Sequence, residues 1–204
     1  MTRGRADGDR TRERVLETAL PLFARLGFAG TSVRTVAAAA GVNVATLAYH
    51  FQDKQGLYDA VVQRLHEDLA ADLERRLVGG LAGDDPRSIL RSWMAEAWRF
   101  SEEHREHQRL LLRHVLDHGT QPAVVAERWS EPLLERASDL IGLLRPDVDP
   151  TRRRLLVVTL MHLTVRLALE DRAQLARMIG SPTEGLDDVV VDWLTELAAR
   201  QLAG

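Results

Sequence analysis

The sequence predicts an all-α protein: an N-terminal three-helix helix-turn-helix domain joined by a long helix to a helical C-terminal domain. Three observations carry this. Ala, Leu and Arg dominate while Gly and Pro number 14 and 7 of 204 residues, and Ala, Leu and Arg lose little side-chain freedom in a helix. Apolar residues recur at three- and four-residue steps, the period of a one-sided helix. No stretch alternates with the two-residue period of a strand.

Each element follows in order. Residues 1–10, with Arg3, Arg5 and Arg10 set among Asp7, Asp9, Gly4 and Gly8, read as a flexible polar arm. From Thr11, the residues Val15, Leu16, Ala19, Leu22, Phe23 and Leu26 describe a first helix that stops at Gly27. Thr31 or Ser32 can cap a second, holding Val33, Val36, Ala37 and Ala40. Gly41-Val42 breaks it, and Asn43 can cap a very short third helix ending at Phe51. A fourth should start near Asp53 and run through Leu57, Tyr58, Val61, Val62, Leu65, Leu69 and Leu73 to about Leu77. The Gly/Asp/Pro cluster at 79–86 is the clearest linker. Beyond it, helices are expected at about 87–104, 106–118, 122–144, 150–178 and 185–202. The domains read as an arm at 1–10, a helix-turn-helix domain at 11–55 and a helical domain at 56–204.

Composition narrows the function classes. With 45% hydrophobic and 28% charged residues the chain is globular rather than disordered. It has no cysteine, which excludes disulfides, thiolate metal sites and cysteine nucleophiles. The longest apolar runs, such as 155–160, fall far short of the roughly 20 residues of a membrane span. The charged N-terminus lacks the apolar core of a secretory signal, so the expected location is the cytoplasm. No nucleophile elbow, phosphate loop or paired-carboxylate pattern gives catalysis a foothold, so neither an enzyme nor a cofactor is expected. Charge is unevenly divided: residues 1–55 carry +3 and the remainder −6. A positive head on a negative body suits a protein that turns one end to a polyanion.

The informative stretch runs from Gly30 to Tyr58. Gly41 permits the left-handed backbone needed to turn between closely packed helices. Val36, Ala37, Ala40, Val42, Leu47 and Phe51 supply a small core. Asn43, Val44, Ala45, Thr46, Tyr49 and His50 are left on the outward side of the short helix. Small residues at its start fit against base edges in a major groove. Tyr49, His50 and Lys54 would lie along the backbone as phosphate donors, and Ser32 and Arg34 would do the same from the preceding helix. Lys54 is the lone lysine among 27 basic residues, which fits a site that wants a compact ammonium or is chance. Arg3, Arg5, Arg10, Arg12 and Arg14 could lie along or enter the minor groove beside a half-site, or could simply be solvated.

These residues closely resemble the DNA-binding domain of the TetR family of repressors. The likeness runs over roughly residues 11–62 and centres on Thr46-Leu47-Ala48-Tyr49-His50-Phe51-Gln52-Asp53-Lys54-Gln55-Gly56-Leu57. It implies that Tyr49, His50 and Lys54 clamp phosphates while residues 43–46 face bases. Ala48 departs from the pattern, standing where the family usually places tyrosine.

The resemblance also implies a homodimer joined by the last two long helices, and a ligand cavity among the middle ones. The partners expected are therefore double-stranded operator DNA, a second copy of the chain and a small-molecule effector, mostly apolar or aromatic; no membrane is expected. Candidate interface residues are Leu155, Thr159, Leu163 and Arg166 on one helix and Val190, Trp193, Leu194 and Leu197 on the other. Both faces could instead pack within one chain. Candidate cavity residues are Trp93, Trp98, Phe100, Leu111, His114, Trp129, Met161 and His162, each of which also reads as plain core. His104, His107, His114 and His118 are spaced for metal binding, yet ordinary histidines explain them as well and no metal is expected. The rival to an effector-released repressor is a ligand-independent DNA-binding regulator whose C-terminal domain serves dimerisation or protein interaction.

Overall fold

A computed structural model describes residues 3–79, 85–119, 127 and 130–203. Among them ten helices and no strand are formed: α1 (Arg3–Gly30), α2 (Val33–Ala40), α3 (Val44–Phe51), α4 (Lys54–Gly79), α5 (Pro86–Glu103), α6 (Arg105–His118), α7 (Glu131–Leu144), α8 (Pro150–Ala168), α9 (Arg172–Ile179) and α10 (Leu186–Ala203). They form two compact units, one of Met1–Asp68 with Arg109–Gln121, the other of Leu69–Gln108 with Pro122–Gly204. The first reaches well past the expected boundary at 55 because Leu57, Tyr58, Val61, Val62 and Leu65 of α4 are all buried.

In the first unit α1, α2 and α3 pack on one another. α1 breaks at Gly27, whose φ is 73°. Thr31 is buried and donates to Gly27 O at 2.9 Å, so Ser32, not Thr31, caps α2 by accepting from Thr35 N. Phe23 and Phe28 meet the Tyr58 ring edge-on at 5.0 and 5.2 Å. Burial, then the charges of Asp117 and Asp59, push the Tyr58 hydroxyl up to about 12, which fixes it as a neutral core group.

The expected flexible arm is instead helical from Arg3. Its residues satisfy one another locally. Thr11 Oγ1 donates to Asp7 O at 2.9 Å, and Arg10 pairs with Asp7 at 3.8 Å. Gly8 costs a helix about 1 kcal/mol, but continuation from an anchored α1 avoids the nucleation that a free helix must undergo.

The second unit packs α10 chiefly on α5, and α7 on α8. Its core includes Leu90, Trp93, Trp98, Ile141, Leu156, Leu160, Val190 and Leu194. Asp85 caps α5 through a capping box with Ser88, and Pro86 opens the helix. Along the α5–α10 seam, Arg91 bonds Asp188 and Asp192 at 3.0 and 2.8 Å, and Arg87 bonds Glu196 at 3.0 Å. The single helix expected over 150–178 is two, α8 and α9. Asp171 accepts from Gln174 N at 2.9 Å and starts a new helix, a cap hidden in continuing apolar periodicity. Of the helix expected over 122–144, the described part is α7; residues 120–126, 128 and 129 lie outside the described residues.

Asp187 closes a polar corner of this unit. It accepts from Arg172 at 2.8 Å and from Trp98 Nε1 at 2.7 Å, while Arg172 also bonds Glu102 at 2.9 Å. The Arg172 bond, with help from Trp98, holds the Asp187 carboxyl below the usual carboxylate range. A carboxyl depressed in the folded state stabilises above its unfolded pKa, and that contribution is lost as pH falls through the folded value. Asp187→Asn is therefore expected to lower the urea midpoint at neutral pH, with the gap to the parent closing on acidification. A gap that persists in acid would assign the effect to packing.

Candidate nucleic-acid interface

The turn between α2 and α3 is built by local chemistry. Gly41 takes φ 65° and ψ 35°, and its N–H returns to the last carbonyls of α2, a left-handed cap that side-chain-bearing residues resist. Arg14 of α1 reaches across to donate from Nε to Ala40 O at 3.1 Å. Asn43 then caps α3: its Oδ1 accepts from Thr46 N at 2.7 Å and from Thr46 Oγ1 at 2.9 Å.

Two of the eight residues of α3, Leu47 and Phe51, are buried and anchor it. Its opposite side faces solvent. Asn43, Val44 and Ala45 are exposed, Thr46 and His50 are half-buried, and Tyr49 is 85% exposed, its ring 5.2 Å from that of His50. Ser32 and Arg34 are exposed on α2. Thus all the residues expected to touch DNA are accessible, and those expected in the small core are inside, save Val42, which is half-buried. α3 is helical, and its Thr46 and Tyr49 are accessible.

Lys54 opens α4, where the positive end of the helix dipole disfavours a cation by a few tenths to about 1 kcal/mol. Its Nζ stands 4.4 Å from the centre of the Phe28 ring, whose face attracts a cation. Asp53 caps the same helix, accepting from Gly56 N at 2.8 Å. Gly56 has no room for a side chain: a Cβ there would come within 2.1 Å of Phe51 O. That close approach ties the end of α3 to the start of α4 and sets Lys54 near Tyr49 in the chain. Gly56 stands in the sequence motif with no role of its own assigned, although its place three residues after a capping aspartate was the available signal. Arg12, one of the arginines expected along the minor groove, has its guanidinium 5.4 Å from the centre of the Phe51 ring.

The expected cavity residues fall in both units. Trp93 and Trp98 are buried in the core of the second unit, and Phe100 is buried with its ring 4.4 Å from that of His104. Leu111 and His114 belong to the first unit, His114 packing on Tyr58 at 5.6 Å. Met161 is 47% exposed and His162 is exposed, so neither lines the protomer's interior. Helical register explains this, since both fall on the side of α8 opposite Leu156 and Leu160. Trp129 lies outside the described residues. A cleft of about 180 Å³ in the second unit is lined by Pro86, Arg87, Leu90, Leu144, Arg145, Ala199 and Leu202, none of them expected. No cluster fit to hold a metal occurs among the described residues. His104 instead faces Asp72 at 3.7 Å, beside Arg76, which Asp72, Glu96 and Glu103 already hold.

The expected dimer residues divide. Val190 and Leu194 are buried in their own unit, which removes them from any interface. Leu163 and Leu197 are half-buried against the same core. Leu155 (65% exposed), Thr159, Arg166 and Trp193 (52%) face solvent, with Val189 beside Trp193's turn.

A model described as bacterial regulatory proteins, tetR family, matches residues 15–61, the span that contains α2, α3 and the start of α4. The transcriptional repressor NicS of Pseudomonas putida is 28% identical over 69% of this chain and 63% of its own length. The stretches matched cover only 50–63% of the first curated relatives' lengths. Among solved structures, a TetR-like regulator from Rhodococcus sp. RHA1 has a TM-score of 0.63 and 24% identity, covering 95% of this chain and 96% of that one. A TetR variant from Acinetobacter baumannii in complex with minocycline has a TM-score of 0.56 and 22% identity, covering 93% and 97%. These structures share the fold. No helix among the described residues is long and apolar enough to cross a membrane.

Proposed function

We propose that this chain is a transcriptional repressor of the TetR family, which its N-terminal unit resembles, and that it holds a palindromic operator as a homodimer. The observation that carries the reading is Tyr49: a large aromatic, 85% exposed, at the end of a short capped helix, with its ring beside that of His50. Beside it, Lys54 occupies a helix start that local electrostatics disfavour. Both residues make sense as donors to a phosphate backbone. In this reading α3 lies in the major groove with residues 43–46 at base edges and Ser32 and Arg34 on the flanking backbone. Two heads about 34 Å apart, or a multiple, would engage both half-sites.

An effector completes the proposal. A structure of the same fold in complex with minocycline supports a small-molecule effector, and in this chain Trp93 supports a site in the second unit. Its indole Nε1 is buried without a hydrogen-bond partner among the described residues, a cost that a ligand acceptor would remove. The mostly apolar surroundings favour an apolar or aromatic molecule with one such acceptor. The chain passes between its units within α4 and α6, so an effector would act through those helices by preferring one of their arrangements.

The test uses a duplex selected by the protein from a randomised library. Tyr49→Ala and Lys54→Ala are each expected to weaken binding about tenfold at matched salt, and Lys54→Ala to lower the salt slope by about one. Folded variants that bind as the parent does would overturn the assignment.

A further inference from the structure

Two polar atoms are left over inside the second unit. The indole Nε1 of Trp93 and the amide Oε1 of Gln108 are both buried without a hydrogen-bond partner among the described residues, in residues only 8% and 6% exposed. A buried indole ordinarily finds an acceptor. Trp98, further along α5, does so: its Nε1 donates to Asp187 at 2.7 Å. Each unmade bond destabilises the protein on its own.

The helix relates the two atoms. Gln108 donates from Nε2 to the hydroxyl of Ser101 at 3.4 Å, which holds the amide at the level of residue 101 and leaves Oε1 over. Trp93, Ala97 and Ser101 stand four apart on α5 and so form one ridge along it. At 1.5 Å per residue, the ends of that ridge are about 12 Å apart. Trp93 and Ser101 are buried, and between them the half-buried Ala97 carries a single methyl. The ridge thus has a donor at one end, an acceptor at the other and a low apolar saddle between.

We propose that Trp93 and Gln108 make the two polar contacts to the effector, an elongated and mostly apolar molecule with an acceptor at one end and a donor at the other, set to span about 12 Å. The acceptor takes the indole N–H, the donor gives its hydrogen to Gln108 Oε1, and the apolar body lies over Ala97. Such a pair is selective, because an analogue lacking either group leaves a buried polar atom unpaired. The inference rests on the effector reading above and extends it from one polar contact to two of opposite sense.

The experiment titrates the full chain by calorimetry with para,para′-biphenol, its monomethyl ether, its dimethyl ether and para-phenylphenol. In the diol and the monomethyl ether a hydroxyl can donate to Gln108 while the far oxygen accepts from Trp93, so these two are expected to bind comparably. The dimethyl ether has no donor and para-phenylphenol has no far oxygen. Each is expected to bind about tenfold more weakly, the loss of one buried hydrogen bond. Gln108→Met should erase the difference between the two ethers, and Trp93→Phe that between the diol and para-phenylphenol. Ala97→Leu, which touches neither polar atom, should weaken all four.

Equal affinities across the series overturn the proposal, as does binding by none of the four; this arm uses the parent protein and decides even where a variant does not fold. Folded Trp93→Phe and Gln108→Met variants that keep the parent's discrimination overturn it equally. Release of the labelled selected duplex, followed by fluorescence anisotropy, separates the two readings. Diol that binds in the expected order yet leaves the duplex bound supports the two contacts and counts against the effector reading. A compound that releases the duplex equally from the parent and from Trp93→Phe/Gln108→Met upholds the effector reading and removes the two contacts.

Discussion

Leu47→Ala is expected to cost the first unit about 2–5 kcal/mol and to remove most DNA affinity. Leu47 is fully buried and is one of two side chains that anchor α3. Truncating a buried leucine loses the transfer energy of the removed groups and leaves a cavity that relaxes only in part. An eight-residue helix has no stability of its own in water, so Phe51 alone would have to hold the reading surface. Hydrogen exchange should report this directly, with the amides of α3 opening at lower free energy than those of α5. The urea midpoint should fall as well. A variant whose α3 amides exchange as in the parent would show that α3 is held by something other than its burial.

The second large effect lies on the exposed faces of α8 and α10. Leu155→Asp/Trp193→Asp is expected to yield a folded monomer in sedimentation velocity, with operator affinity lowered by about 10²–10⁴-fold. Both side chains are largely solvent-exposed in the protomer, so placing charge there costs the isolated fold little. A carboxylate buried between two copies without a partner costs several kcal/mol. The loss of affinity follows because a linked second head binds at an effective concentration near millimolar, and a monomer forfeits it. Leu194→Ala is the contrast: it should lower the melting temperature through a core cavity, because Leu194 is buried within its own unit. If the double aspartate variant stays dimeric, α8 and α10 are not the interface.

The N-terminal unit was legible because its signals are local. Ser32 and Asn43 cap, Gly41 turns, and Leu47 and Phe51 fall one turn apart; each acts within a few residues of itself. The second unit offered periodicity without addresses. α10 has apolar residues on two sides, and sequence alone does not say that Val190 and Leu194 turn to the chain's own core while Val189 and Trp193 turn away. The pause before Asp171 was hidden because apolar spacing continues across it. Asp85 and Pro86, expected as the end of the linker, turn out to cap and open α5. The expected cavity residues divide between core and surface for a related reason: Trp, Met and His on helices mark bulk and softness, not the direction in which a side chain points. The arginine-rich start was misread because charge and glycine suggested disorder, while its attachment to a buried α1 made helix the cheaper course.

Thr46 carries a consequence for the operator itself. Its hydroxyl has a single proton, and that proton is committed to Asn43 Oδ1 at 2.9 Å, leaving only lone pairs to face outward. Under the proposed docking, a base edge beneath it would offer hydrogen rather than ask for it. The exocyclic amino groups of adenine and cytosine do so in the major groove, whereas guanine there presents O6 and N7 alone.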